Sequence, residues 1–164
     1  MKSRAVASIA PRLVATVAVS AAVVFGATGC TFITHQATTN AYPASDGVNV
    51  ETTGGPVEVR NAMVIATDDG SAGNLVAAFI NPTDTDADLT IGVAGDELVI
   101  PVPAGESISL GANEDPLLIE NLDVMPGATV EIYFSSGEAG STNEIPVLDG
   151  TLEYYTDLVP DVAE

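Results

Sequence analysis

The segment "ATVEIYFS", residues 128–135, sets Val130, Ile132 and Phe134 against Glu131, Tyr133 and Ser135. Alternation at period two puts one set of side chains on each face of a strand. The pattern recurs in short runs. "DLTIGV" points Leu89, Ile91 and Val93 one way and Asp88 and Thr90 the other, and "ESISL" sets Ile108 and Leu110 against Ser107 and Ser109. "VEVRNAMVIA" places Val57, Val59, Met63 and Ile65 on one face, with Asn61 the polar exception. "NLVAAFI", residues 74–80, is a short apolar run that reads as a strand buried on both faces, and "ELVIPVP" and "NEIPVL" complete the set. "TDDGSAG", residues 67–73, is a turn. Pro101, Pro103 and Pro146 cannot donate ladder hydrogen bonds and belong at strand ends, edges or bulges. "PLLIENL", residues 116–122, reads as a strand or a single helical turn. Short strands with turn signals between them predict an all-β antiparallel sandwich or barrel over residues 56–148.

The chain before that domain reads as an address. "MKSRAVASIAPR" holds Lys2, Arg4 and Arg12 and no acid, and "LVATVAVSAAVVF", residues 13–25, has no charge. A basic start, an apolar stretch shorter than the roughly 20 residues of a bilayer span and a small-residue junction make a secretory signal peptide, residues 1–29. The junction "ATGC" resembles the bacterial lipobox, with Ala27 where Leu is usual and Cys30 as the residue that takes a diacylglyceryl group. Cys30 is the only cysteine, so no disulfide supports the fold. An ordinary cleaved signal and an uncleaved anchor are the bland alternatives; the position of Cys30 favours lipidation and an extracytoplasmic chain anchored to the outer face of the bacterial membrane.

Charge follows the same boundary. All 23 acids lie after Cys30, with Arg60 the single basic side chain there, a formal charge of −22. Such a surface repels nucleic acid, and DNA or RNA is not expected as a partner. Solubility and self-repulsion are its first meaning; attraction of cations or basic partners is the second. Residues 30–55, rich in Thr, Ala, Asn and Gly, read as the lipidated N-terminus and a flexible tether. The acidic tail, residues 149–164, reads as frayed, with Tyr154 and Tyr155 docking on the domain or meeting a partner.

The second half of the domain resembles a known family. "IPVPAGESISLG", "FSSGEAG" and "EIPV", together with "NPTDTDADLTIGV", look like the core of PCu(A)C-type copper chaperones, and actinobacterial lipoproteins of the LpqE type carry such domains. The resemblance covers roughly residues 57–148 and implies a Greek-key, cupredoxin- or immunoglobulin-like sandwich. It also implies a His and a Met after the strand that ends in Leu110. Counting without gaps, Pro116 and Leu118 stand there. The loop expected to hold an earlier His and Met is only "AGDEL", residues 94–98. Cu(I) selects thioether and imidazole donors, which Pro and Leu do not offer, so copper by that route is not expected. Met63, Met125 and His35 are scattered, and Met residues in β segments are usually core.

Other chemistry finds little support. Past Cys30 there is no Lys and a single His, His35, in the tether, so neither a Ser-His-Asp triad nor a zinc site is assembled. Asp84, Asp86 and Asp88 have the spacing of an EF-hand loop start and are the candidate metal residues. Leu89 and Gly95 stand where that loop needs Gly and a bidentate Glu, so a solvated hairpin loop is the plainer meaning and calcium is not expected. Asp68 and Asp69 add at most diffuse divalent binding. The expectation is a non-catalytic, membrane-anchored binding or structural module without a cofactor, acting with an envelope protein partner. The alternative is a metal-handling envelope protein, copper-chaperone-like or divalent-cation-binding.

Overall fold

The computed structural model describes residues 14–20 and 45–161. The chain divides into two units, at Met1–Tyr42 and Pro43–Glu164. In the first, residues 14–20 of the apolar run are helical, and Ser20 Oγ donates to the Thr16 carbonyl at 2.9 Å. Among the described residues no helix is long and apolar enough to cross a membrane. Cys30 and His35 lie outside the described residues.

The second unit is all β. Its strands are β1 (Glu58–Ala66), β2 (Gly73–Ile80), β3 (Ala87–Val93), β4 (Asp96–Val102), β5 (Ser107–Leu110), β6 (Leu117–Ile119), β7 (Thr129–Ser135) and β8 (Ser141–Leu148). They run in the spatial order β4-β3-β7-β8-β1-β2-β5, with β6 also on β2. One sheet holds β4, β3, β7 and β8; the other holds β8, β1, β2, β5 and β6. This is a Greek-key sandwich, as expected, nearly closed into a barrel because β8 serves both sheets. Pro146 explains where β8 changes partner: it is the last residue facing β7, opposite Thr129, and Val147 and Leu148 then pair with β1. That β1–β8 pairing is parallel, an exception to the antiparallel expectation. Pro101 lies on β4, which ends the strand order, where a missing donor is tolerated.

The alternation held where strands are regular. Leu89, Ile91, Ile132, Phe134, Ile145 and Val147 are fully buried between the sheets. It failed at β1. Arg60 faces Ala78 and Met63 faces Val76, so Asn61 and Ala62 together oppose Ala77 alone. This is a β-bulge, with Asn61 at φ 51°, a conformation Asn tolerates better than most residues. The extra residue flips the parity. Val57 and Val59 face the main core with Ala62 and Val64, while Met63 and Ile65 turn to the opposite face, contrary to the single face expected for Val57, Val59, Met63 and Ile65.

Two segments expected to be loose are part of the domain. Residues 45–55, read as tether, lie along the edge of β1 that β8 leaves uncovered. Val48 and Ala62 exchange backbone bonds of 2.9 and 2.8 Å, and Val50 N–H reaches the Val59 carbonyl at 3.1 Å. Asn61 Oδ1 accepts from Gly47 N–H, and Asn49 Oδ1 accepts from Asn61 N–H, so the bulge is satisfied by this strap. Gly47 is required there, since a Cβ would stand 2.6 Å from the Asn61 carbonyl carbon. The domain therefore begins before residue 56. The tail, read as frayed, packs Tyr155, Leu158 and Val159 over Met63, Ile65 and Val76. Thus β1 and β2 are buried on both faces, one against the opposite sheet and one against the tail.

Candidate functional site: a groove between two strand edges

The groove follows from how β4, β5 and β6 end the two sheets. β5 pairs with residues 77–80 of β2 and β6 with residues 73–75, so they form one ladder on β2 interrupted by the loop at residues 111–116. "PLLIENL" is therefore strand where it meets β2. At the far end of the strand order β4 pairs only with β3. β3 and β4 join through a two-residue turn, Ala94 and Gly95, with φ of 53° and 89°. Paired positive φ values are those of the tight hairpin turn that matches sheet twist. The segment "AGDEL", counted as a loop from the sequence, is thus a turn of two residues followed by the start of β4.

Between the β4 edge and β6 the barrel stays open, leaving a groove of about 400 Å³. Ile91, Val93 and Leu98 line it from one sheet, and Leu117, Leu118 and Ile119 from the other. Asp96, Glu97 and Glu120 bring carboxylates to it, all on exposed residues. Leu98 and Leu118 are 42 % and 44 % exposed. Pro116, the other position where the family resemblance expects a copper donor, directly precedes β6. None of the side chains lining the groove carries imidazole, thiol or thioether.

The other predicted residues are placed as follows. Asp84, Asp86 and Asp88 are exposed and serve different ends of one loop. Asp86 Oδ1 accepts the Ala104 N–H at 2.9 Å, and Asp88 sits on β3 opposite Pro101. The loop is organised by Asn81, which is wholly buried. Its amide donates to the carbonyls of Thr85 and Val102, and its Oδ1 accepts from Thr83 N–H and Oγ1. Among the described residues no group of three or more His, Cys, Asp or Glu gathers to hold a metal ion. Asp69 is a turn cap: one oxygen accepts from Thr67 Oγ1, Ser71 N–H and Ser71 Oγ at 2.7, 3.1 and 2.8 Å. These bonds, the Thr67 hydroxyl foremost, hold its pKa down at about 2. Met63 is core, as expected of a Met in a strand, and Met125 is exposed on the loop before β7.

A second depression lies by the tail, where Asp46 meets Tyr155. Tyr155 Oη donates to Asp46 Oδ2 at 2.7 Å, and the rings of Tyr154 and Tyr155 meet edge to face at 4.4 Å. Desolvation and then the bond to Asp46 push the Tyr155 phenol well above its ordinary pKa. This contact ties the strap to the tail.

No protein-family model matches the chain, and none of the curated proteins matches its sequence. Among solved structures it is similar to PCuAC domains. A copper-bound PCuAC domain from PmoF2 is 14 % identical at a TM-score of 0.47, spanning 61 % of this chain and 98 % of that domain. An apo PCuAC domain from PmoF1 is 17 % identical at a TM-score of 0.46, spanning 60 % and 98 %.

Leu98, Glu97 and Glu120 were not singled out by the sequence, and Leu118 was marked only as the residue standing where the resemblance implies a Met. The available signal was "ELVIPV", a strand whose apolar residues run consecutively instead of alternating.

Proposed function

We propose that this chain is an envelope lipoprotein whose β-sandwich works by binding and not by catalysis. In this reading a diacylglyceryl group on Cys30 holds it at the outer face of the bacterial membrane. The proposed form is the actinobacterial LpqE type, a PCu(A)C-like domain whose copper donors have been replaced. The observation that carries the binding reading is the open groove between β4 and β6, apolar within and acidic around. An apolar concavity with a few polar groups at its margin is the usual form of a recognition site. Its Leu118 stands where the family resemblance expects a Met. The anchor reading is supported by the "ATGC" junction and by the division of charge at Cys30.

Metal titration of the full chain tests the binding reading. Affinity for Cu(I), Cu(II) and Ca²⁺ no tighter than the diffuse attraction of an acidic surface is expected. A stoichiometric, tight site would replace this reading with metal handling. Cys30→Ala tests the anchor: the chain should leave the membrane fraction and lose the acyl mass, and a variant that stays membrane-bound at unshifted mass would refute lipidation.

A further inference from the structure

The groove has two features beyond its apolar lining. It lies between two strand edges, because β4 pairs only with β3 and β6 only with β2 among the described residues. It is also acidic in a domain with almost no cations of its own. Arg60 is the one Lys or Arg among the described residues, and it is ion-paired to Glu58 at 2.8 Å. We infer that the groove accepts an extended, basic and apolar segment of a partner protein, which adds a strand beside β4 and places its apolar side chains against Leu98 and Leu118. This rests on the binding reading above and names the partner's chemistry.

Strand addition suits the geometry. An unpaired edge offers main-chain donors and acceptors, and alternate side chains of the incoming strand supply specificity. β4 is exposed from Asp96 to Val99 and becomes buried only at Val102. Charge decides among occupants. A second copy would bring Asp96 and Glu97 against the same acids in a chain of formal charge −22 after Cys30. The chain's own residues 31–44 contain no Lys or Arg and lack the complementary charge. The tail over residues 149–161 is engaged on the other face of β1 and β2. A partner strand with Lys or Arg flanking apolar residues meets Asp96, Glu97 and Glu120 favourably. Edge acids and Pro101 meanwhile discourage self-pairing without closing the edge to a basic strand.

The test uses the full chain in a nonionic detergent and a fluorescent peptide of alternating Lys and Val, seven residues long. Three comparisons accompany it: the Glu-Val counterpart, the Lys-Val peptide with a central Pro, and chain variants. The Lys-Val peptide should bind and slow exchange at the alternate amides of β4 that face away from β3, while the Glu-Val and Pro-interrupted peptides should not. Glu97→Lys with Glu120→Lys should weaken binding by about tenfold or more, since charge at an interface margin steers association. Asp84→Lys with Asp88→Lys, the same change of charge away from the groove, should leave most of the affinity. Equal losses in both double variants would overturn the inference in favour of diffuse attraction. So would tight binding of the Glu-Val peptide, no binding of the Lys-Val peptide, or a dimer that protects β4. Every peptide arm uses the unaltered chain, so a variant that fails to fold does not blunt the test. Failure here leaves the metal titration unaffected, so the two readings fall separately.

Discussion

Two apolar surfaces of this domain meet different fates. On the outer face of β1 and β2, Met63, Ile65 and Val76 are covered by the chain's own tail. In the groove between β4 and β6, Leu98 and Leu118 stay open. The first is sealed by packing, by Asn74 Nδ2 donating to the Leu158 carbonyl at 2.9 Å, and by Tyr155 donating to Asp46. The second is bordered by carboxylates and stays an open groove of about 400 Å³. The difference teaches that this chain can cover an exposed sheet face when stability requires it. A surface left uncovered beside two free strand edges is the feature on which the binding proposal rests.

That contrast breaks most decisively at the tail. Tyr155→Ala removes a side chain only 7 % exposed and should cost about 3 kcal/mol, the scale of a buried aromatic truncation. Chemical denaturation checks it, and the same curve for Leu98→Ala with Leu118→Ala should shift by less than that, because those side chains are only partly buried, at 42 % and 44 % exposed. A larger shift for the groove pair would mean that the groove serves the fold. Tyr155→Phe keeps the packing and loses the bond to Asp46, a loss of about 1 kcal/mol.

The same bond predicts behaviour in alkali. The Tyr155 phenol is raised from its ordinary pKa of 10.0, so its contribution is complete below that pH and is lost as pH climbs toward the higher folded pKa. Absorbance of tyrosinate should show a step for Tyr155 above the ordinary tyrosine range, together with release of the tail. Tyr155→Phe should remove that step. In acid the sign reverses for Asp69. Its pKa is lowered from 3.8 to about 2, so its hydrogen-bonded turn contributes above pH 3.8 and fades as pH falls to about 2. Carboxyl NMR titration reads this directly.

The smallest effect sharpens the groove side. Ala94 holds φ 53° in the turn that launches β4, a conformation costly for Ala and easier for Asn. Ala94→Asn should stabilise by about 0.5 kcal/mol, leaving the groove unchanged.

Strand content was readable because it is written locally. "ATVEIYFS" alternates, and its inward residues Ile132 and Phe134 are buried as the period demands. β1 was misjudged in its second half because a bulge at Asn61 inserts one residue, and period-two logic has no way to register an insertion made for a distant partner. The strap was read as tether because Val48 and Val50 are its only apolar anchors; Gly47, Asn49 and Thr53 hold it by hydrogen bonds that composition does not reveal. Docking of the tail tyrosines was one of the two fates read from the sequence, and Tyr155 does dock; the rest of the tail looked frayed because nothing in "LEYYTDLV" shows that β1 has a second face needing cover. The groove was invisible for a related reason: Leu98 and Leu118 come to line one groove only once two sheets have closed around β8.

The central proposal is that the groove, and not the tail face, is where this domain would meet a partner. A photoreactive residue placed at Leu118 in intact cells, with the same residue at Tyr154 as reference, tests it most directly. The account predicts a discrete crosslinked species from position 118 that disappears with Glu97→Lys and Glu120→Lys, and none from position 154. A crosslink from 154 alone, or one from 118 indifferent to those charges, would contradict it.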